Sequence, residues 1–233
     1  MAEQDDSPES QDSLEPVIRV VACADLTKVE IAELSRLFHA TYRDADEAYL
    51  AKSGKTLRFV ALAESGDALV GFSFGDSVQV NLPRMDEPQS VALAGIACID
   101  ESMRRRGLFV TLATEAIRAG GGVQADNPLL FTGRMAHVLT YRTMANMSPT
   151  TVPAAGKNTS AWHREVAVEV ASLFKSEIDP DTFVVRGSGS PVGFPRIAFD
   201  TSPEEDALFA QVNRERGDSL LSMCWLPDAP AGW

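Results

Sequence analysis

The chain has 233 residues, of which 45% are apolar, 23% charged and 7% aromatic, with a formal charge of −12. Collagenous and low-complexity classes are excluded, and no apolar run approaches the ~18 residues that would cross a bilayer, so no membrane partner is expected. The charge is unevenly placed. Glu3, Asp5, Asp6, Glu9, Asp12 and Glu15 fall within residues 1–16, which hold no Lys or Arg, leaving 27 acids against 21 bases for the remainder. Residues 1–16 read as a disordered acidic tail without the positive start or apolar core of a leader, and 17–233 as a single domain. An acidic balance argues against nucleic acid, which demands clustered Lys and Arg.

Residues 16–24 (PVIRVVACA) form a β-branched run of strand length. A helix is predicted to open at Thr27, because Glu30 stands three residues on in capping-box spacing, with Val29, Ile31, Leu34, Leu37, Phe38 and Tyr42 recurring at helical intervals. A second helix is expected over 44–53, ending at Gly54. Three strands follow at 58–64, 68–80 and 90–100, separated by turn residues and therefore antiparallel to one another. Gly71-Phe72-Ser73-Phe74-Gly75 satisfies G-x-S-x-G, but DSVQV continues the strand where a hydrolase nucleophile elbow turns into a helix.

The apolar period then changes. Leu108, Phe109, Leu112, Ala113, Ala116 and Ile117 line one helix face, ended by Gly120-Gly121-Gly122. A strand over 127–136 and a helix over 137–147 come next. Residues 148–182 read as an insert, a loop and then a helix from 160 to 176. A short strand is expected at 183–187, a glycine- and proline-rich loop at 187–195, and a helix from Ser202-Pro203 to Gly217 with Glu205 closing a capping box. A strand over 219–227 completes an α/β (α+β) fold, a mixed sheet flanked by helices. Cys23, Cys98 and Cys224 are odd in number and sit in apolar surroundings, as reduced thiols of a cytoplasmic protein would. His39, His137 and His163 show no ligand spacing, so no metal is expected.

The most informative stretch is GIACIDESMRRRGLFVTLATEAI (95–117), a strand, a tight loop and an amphipathic helix. Arg104, Arg105 and Arg106 stand at a helix N-terminus, where backbone N–H groups already attract anions and where three cations oppose the helix dipole. Gly107 lets a ligand approach the backbone. The loop therefore suits a phosphate or pyrophosphate.

This segment resembles motif A of the GNAT acyltransferase superfamily, [Q/R]-x-x-G-x-[G/A] between a strand and a helix, with Arg104, Gly107 and Phe109 at the three marked positions. Phe109 departs from the small residue usual at the third. VGFSFG (70–75) is similar to the family's third strand, and the order of elements agrees from about residue 17 to 147. The resemblance implies a GNAT-like sheet and acetyl-CoA or another acyl-CoA as co-substrate. Its pyrophosphate would lie on Arg104, Arg105, Arg106, Gly107, Leu108 and Phe109, and its pantetheine along Ala97 and Ile99. It further implies an N-acyltransferase acting on a small-molecule or peptide amine by direct attack, with Tyr141 as the acid for the departing thiolate. Thr140 replaces the usual aliphatic before that tyrosine, and the customary upstream Asn is absent. Asp86, Glu87, His137 and the Trp233 carboxylate are open alternatives for a general base. The insert at 148–182 would shape the acceptor side or a homodimer surface. A non-catalytic CoA-binding sensor or partner domain is the alternative to the enzyme.

Overall fold

The computed structural model describes residues 15–124, 127–196 and 199–233. The tail inferred for residues 1–16 falls almost wholly outside them. In chain order the elements are β1 (Val17–Ala22), α1 (Lys28–Thr41), β2 (Tyr42–Arg43), α2 (Glu47–Thr56), β3 (Phe59–Ser65), β4 (Ala68–Val80), β5 (Gln89–Ile99), α3 (Leu108–Ala119), β6 (Leu129–Met135), α4 (Val138–Met147), α5 (Ala161–Leu173), β7 (Ile178–Asp179), β8 (Val184–Val185), β9 (Phe194–Pro195), α6 (Pro203–Phe209) and β10 (Ser219–Leu226). The main sheet runs β1-β3-β4-β5-β6-β10-β8-β7, while β2 and β9 form a separate ribbon. Every neighbouring pair in the main sheet is antiparallel except β5 and β6. Parallel neighbours need a crossover, and α3 supplies it. The expected mixed α/β architecture is the one observed.

Local chemistry explains most element ends. Thr27 accepts the Glu30 N–H while the Glu30 carboxylate accepts the Thr27 N–H, so the predicted capping box opens α1. Leu34, Leu37 and Phe38 are buried as the period requires, but Val29 and Ile31 in the first turn are exposed. The α2 helix runs through Gly54 to Thr56 instead of stopping at the glycine. An added Cβ at Gly54 would rest 3.6 Å from the Phe74 ring, so tertiary packing holds the helix across a weak position. The α6 helix starts at its predicted box but ends at Phe209, well before Gly217. There the fully buried Asp218 carboxylate accepts the Gly187 N–H and pairs with Arg216, drawing the chain out of the helical path.

The sheet carries helices on both faces. Helix α3 packs on β3 and β4, with Leu108, Leu112 and Ala116 clustered with Ala61 and Ala63 of β3. The larger cluster joins Leu34, Leu37 and Phe38 of α1 to Phe72, Phe74 and Trp225. Residues 148–182 are integrated into this core: Trp162, Val166, Val170 and Ala171 of α5 are buried in it, and Val152 bridges to Met223 of β10.

One irregularity shapes everything near the site. Ser73 faces Ala97 but Gly75 faces Ala94, so Phe74 is opposed by both Gly95 and Ile96. This bulge turns β5. A Cβ at Gly95 would lie 2.4 Å from Leu57 Cδ1 and 2.8 Å from Phe74 Cβ, so glycine is required. Gly95→Val should lower stability by roughly 1–3 kcal/mol, the usual cost of overpacking. Urea denaturation checks this; an unchanged midpoint would show that the bulge tolerates a side chain.

Candidate functional site

Beyond the bulge the sheet opens. β5 and β6 pair from Ser90↔Leu129 only as far as Ala94↔Gly133, after which Gly95–Ile99 has no partner on that side. A strand edge inside a sheet that loses its neighbour exposes N–H and C=O groups to whatever enters. A cleft of about 310 Å³ occupies this gap. Its walls come from β5, from Phe131, Gly133 and Arg134 of β6, from α4, from α2, and from the β2–β9 ribbon with Val192 and Gly193.

At the α3 end, Arg104 and Phe109 line the cleft. Arg105 and Gly107 adopt positive φ, +64° and +77°. Gly107, left-handed beside the right-handed Leu108 that begins α3, turns successive N–H groups toward one point, an anion-binding concavity, while Arg104 before Arg105 is extended. Gly107 precedes the first helical residue, and Val110 and Thr111 return their N–H groups to its carbonyl. The N–H groups of Leu108 and Phe109 begin the helix and have no carbonyl a turn earlier. An added Cβ at Gly107 would meet nothing within 4 Å, so the space above the loop is open. Arg105, Arg106, Gly107 and Phe109 are exposed at this rim, whereas the Leu108 side chain is buried beneath α3, leaving its N–H as the group able to face a ligand.

Along β5, Ala97 and Ile99 line the cleft as expected. The Ala97 carbonyl accepts the Tyr42 hydroxyl at 3.0 Å, so one of the strand's exposed acceptors is already engaged. Tyr42 thereby joins the β2–β9 ribbon to β5 and closes one end of the gap.

Tyr141, the acid that the resemblance implies, lies on α4 among packed side chains. Its ring is buried, packs edge-on against Phe209 at 6.1 Å, and its hydroxyl accepts the Ala155 N–H at 3.1 Å. Burial raises its pKa. The α4 residues that face the cleft are Leu139, Thr140, Thr143, Met144 and Met147. A helix turns about 100° per residue, so the neighbouring position looks elsewhere, and Tyr141 instead ties α4 to the following loop.

Of the base candidates, His137 alone lines the cleft. It caps α4, its Nδ1 accepting the Leu139 N–H at 3.3 Å, which places the ring proton on Nε2. The ring is stacked on Phe194 and edge-on to Phe199. Burial, aided by Arg214, pushes its pKa down to about 4. It is therefore a neutral hydrogen-bond donor. Asp86 and Glu87 sit in the loop before β5, at the opposite end of that strand from the cleft. Trp233 packs against Trp162, His163 and Trp225 away from it. No Asp or Glu is among the described residues that line the cleft.

Sequence reasoning missed two walls. The glycine- and proline-rich loop contributes Val192, Gly193 and Pro195, and α2 contributes Tyr49, Ser53 and Thr56. The 49, 53, 56 spacing was available as a polar stripe on one helix face; only the pairing of β9 with Tyr42 brings the loop in. Cys98 and Cys224 are buried and unpaired, and burial raises their thiols to about 12 and about 11. Among the described residues, no three His, Cys, Asp or Glu side chains gather as a metal set, and no helix is long and apolar enough to cross a membrane.

The chain is thus an α/β protein whose sheet opens beside a helix N-terminus. GNAT family N-acetyltransferases recur among the solved structures it is similar to. The GNAT family N-acetyltransferase YhbS from Escherichia coli, in complex with CoA, is 16% identical, with 60% of this chain and 71% of that one covered at a TM-score of 0.39. The ribosomal-protein-S18-alanine N-acetyltransferase from Escherichia coli is 10% identical over 93% of this chain and 99% of that one, TM-score 0.42. The aminoglycoside acetyltransferase meta-AAC0020 from an uncultured soil metagenomic sample, in complex with sisomicin, is 20% identical over 62% and 92%, TM-score 0.37. No family model and no curated protein matches the chain.

The state of His137 has a direct check. A histidine held neutral below its unfolded value leaves the unfolded chain binding more protons, so stability is complete above about pH 6.5 and declines as pH falls toward 4. Imidazole NMR resonances of His137 should not titrate between about pH 7.5 and 5.5. A midpoint near 6.5 would refute the buried neutral ring.

Proposed function

We propose that the chain is a divergent GNAT superfamily member and an acyl-CoA-dependent N-acyltransferase, with acetyl-CoA the simplest donor and an amine the acceptor. The observation that carries this reading is the parting of β5 from β6 after Ala94 and Gly133, directly beside the loop formed by Arg104 to Phe109. An open strand edge suits an extended amide-bearing arm, and a concavity of N–H groups flanked by arginines suits a pyrophosphate. The open space over Gly107 passes the test of fit, since no side chain occupies it. When bound, the donor supplies an activated thioester acyl group.

This chain's residues would then act as follows. Arg104 and the N–H groups of Gly107, Leu108 and Phe109 bind the phosphates, and Arg105 and Arg106 add positive charge at the rim. The exposed Phe109 ring offers an apolar face beside them. The N–H and C=O groups between Gly95 and Ile99 that face the gap, the Tyr42-bound Ala97 carbonyl apart, hold the arm, and backbone N–H groups at the bulge polarise the reacting carbonyl. His137 donates from Nε2 toward the same region. With no carboxylate on the cleft walls, the acceptor amine enters neutral or loses its proton to water. Thr140 and Thr143 are the α4 residues that bring hydroxyls to the cleft lining, Thr143 donating to the Leu139 carbonyl.

The lack of a cleft carboxylate, with Tyr141 turned away, also favours a second reading, a GNAT-fold protein that binds CoA without transferring an acyl group. Calorimetry with acetyl-CoA tests what the two share. Arg104→Ala should weaken binding on the order of 10-fold, as loss of a charge-assisted contact does. No binding by the intact chain would sink both readings. Thiol release across an amine panel then separates them, and Tyr141→Phe should leave the rate of release within about 2-fold because the hydroxyl only accepts from Ala155.

A further inference from the structure

The wall of the cleft facing away from the phosphate loop carries its own cation. Side chains alternate along β6, so Arg134 shares a face with Leu130 and Thr132, opposite to Phe131, Gly133 and Met135. Its register partner is Leu221 of β10, one residue pair beyond the last β5–β6 pairing at Gly133. Arg134 is half-buried and lines the cleft. Its guanidinium lies 5.3 Å over the Phe174 ring and donates to Ser176 Oγ at 3.1 Å. Among the described residues no carboxylate pairs with it, whereas Arg19, Arg36, Arg58, Arg84, Arg118, Arg142, Arg164 and Arg216 each have one within 4.0 Å.

A guanidinium brought partly out of water beside an apolar ring, with two parallel N–H edges and one neutral partner, is left short of an acceptor. Among the described residues no charged acceptor meets it. Lys52 is the nearby charged group, and its own pKa is lowered by burial and then by the Arg134 charge. The other polar groups on this wall are the hydroxyls of Tyr49, Ser53 and Thr56, which α2 projects in a stripe of four- and three-residue steps. Ser53 and Thr56 donate to carbonyls one turn back, so they line the wall without neutralising it.

We propose that Arg134 reads a carboxylate on the acceptor, so that the substrates are compact amino carboxylates, molecules carrying both the nucleophilic amine and a carboxylate, in preference to polycationic amines. This rests on the acyl-transfer reading above and names the acceptor for that same cleft. The cleft, of about 310 Å³ and open on one side, has room beside the end of the donor arm for an acceptor of amino-acid dimensions. The charge arrangement opposes the expectation from net charge, by which an acidic surface would draw in cations. The chain is acidic overall, but the cleft lining holds Arg104 and Arg134 with no carboxylate.

The test measures thiol release from acetyl-CoA with matched pairs: free amino acids against the amines left when their carboxylate is removed. The wild-type chain should favour the carboxylated member roughly 10-fold to 100-fold in kcat/KM, mainly through KM. Arg134→Gln should bring the pair near parity by raising KM for the carboxylated member, and Arg134→Lys should restore part of the preference, with calorimetric affinity for acetyl-CoA unchanged in both. Equal use of both members by the wild type, or an intact preference in Arg134→Gln, would overturn the assignment while leaving acyl transfer in place. An equal loss for both members, accompanied by a lower melting temperature, would show instead that Arg134 only packs on Phe174. Where acetyl-CoA binds but no amine releases thiol, the enzymatic reading fails by itself. NMR titration with the same amino acids then decides the carboxylate site: saturable shifts in the wild type, absent in Arg134→Gln, support it, and their absence in both overturns it.

Discussion

The constraint on which this molecule turns is a parallel strand pair that is kept short. β5 and β6 share five residue pairs and then separate, because Gly95 and Ile96 both oppose Phe74 and the extra residue swings β5 aside. A fully paired sheet would satisfy its own backbone and offer no place for a ligand. Here the unpaired edge is kept open by elements packed on either side. Leu57 at the end of α2 presses on Gly95, α3 is laid on β4 by Leu112 and Ala116, and Tyr42 spans to the Ala97 carbonyl. Each of these contacts is long-range in sequence, so the opening is a property of the assembled sheet.

The electrostatics of the cleft differ from those of the chain. Several arginines elsewhere are matched to acids: Arg58 with Asp76, Arg142 with Glu205, Arg216 with Asp218. Among the described residues, the cleft arginines Arg104 and Arg134 pair with no carboxylate, and the histidine on its lining is neutral and caps a helix. Such a cavity is suited to holding anions at two points and poorly suited to removing protons. In the proposed acyl transfer, the weight would fall on positioning and on backbone donors rather than on acid–base side chains.

The legible parts of the fold were those written in local chemistry. Thr27 with Glu30, and Ser202 with Pro203 and Glu205, announced helix starts that the structure reproduces, because a cap is decided within four residues. The alternation of β3, β4 and β5 and the one-face periodicity of α3 were equally plain. Helix ends were less so: Gly54 did not stop α2, since Phe74 packs there, and α6 stopped early, since buried Asp218 holds the chain elsewhere. The phosphate-type loop was visible as Arg104-Arg105-Arg106-Gly107, and the left-handed φ at Gly107 agrees with the use of glycine. The packing of Tyr141 against Phe209 and Ala155 was not legible, because sequence spacing gives the turn of a helix but not its phase against a neighbour.

By itself, then, the sequence determined the class of fold, the helix starts and the anion-attracting loop, all of which depend on residues close together in the chain. Which side chains share a cavity was decided only by tertiary structure. Arg134, Tyr49 with Ser53, Phe174 and Pro195 come from four separate segments and meet only because the sheet parts and the flanking elements close around the gap. Their encounter depends on strand register and helix phase, which are fixed by burial across the whole core and leave no mark on any one stretch of the chain.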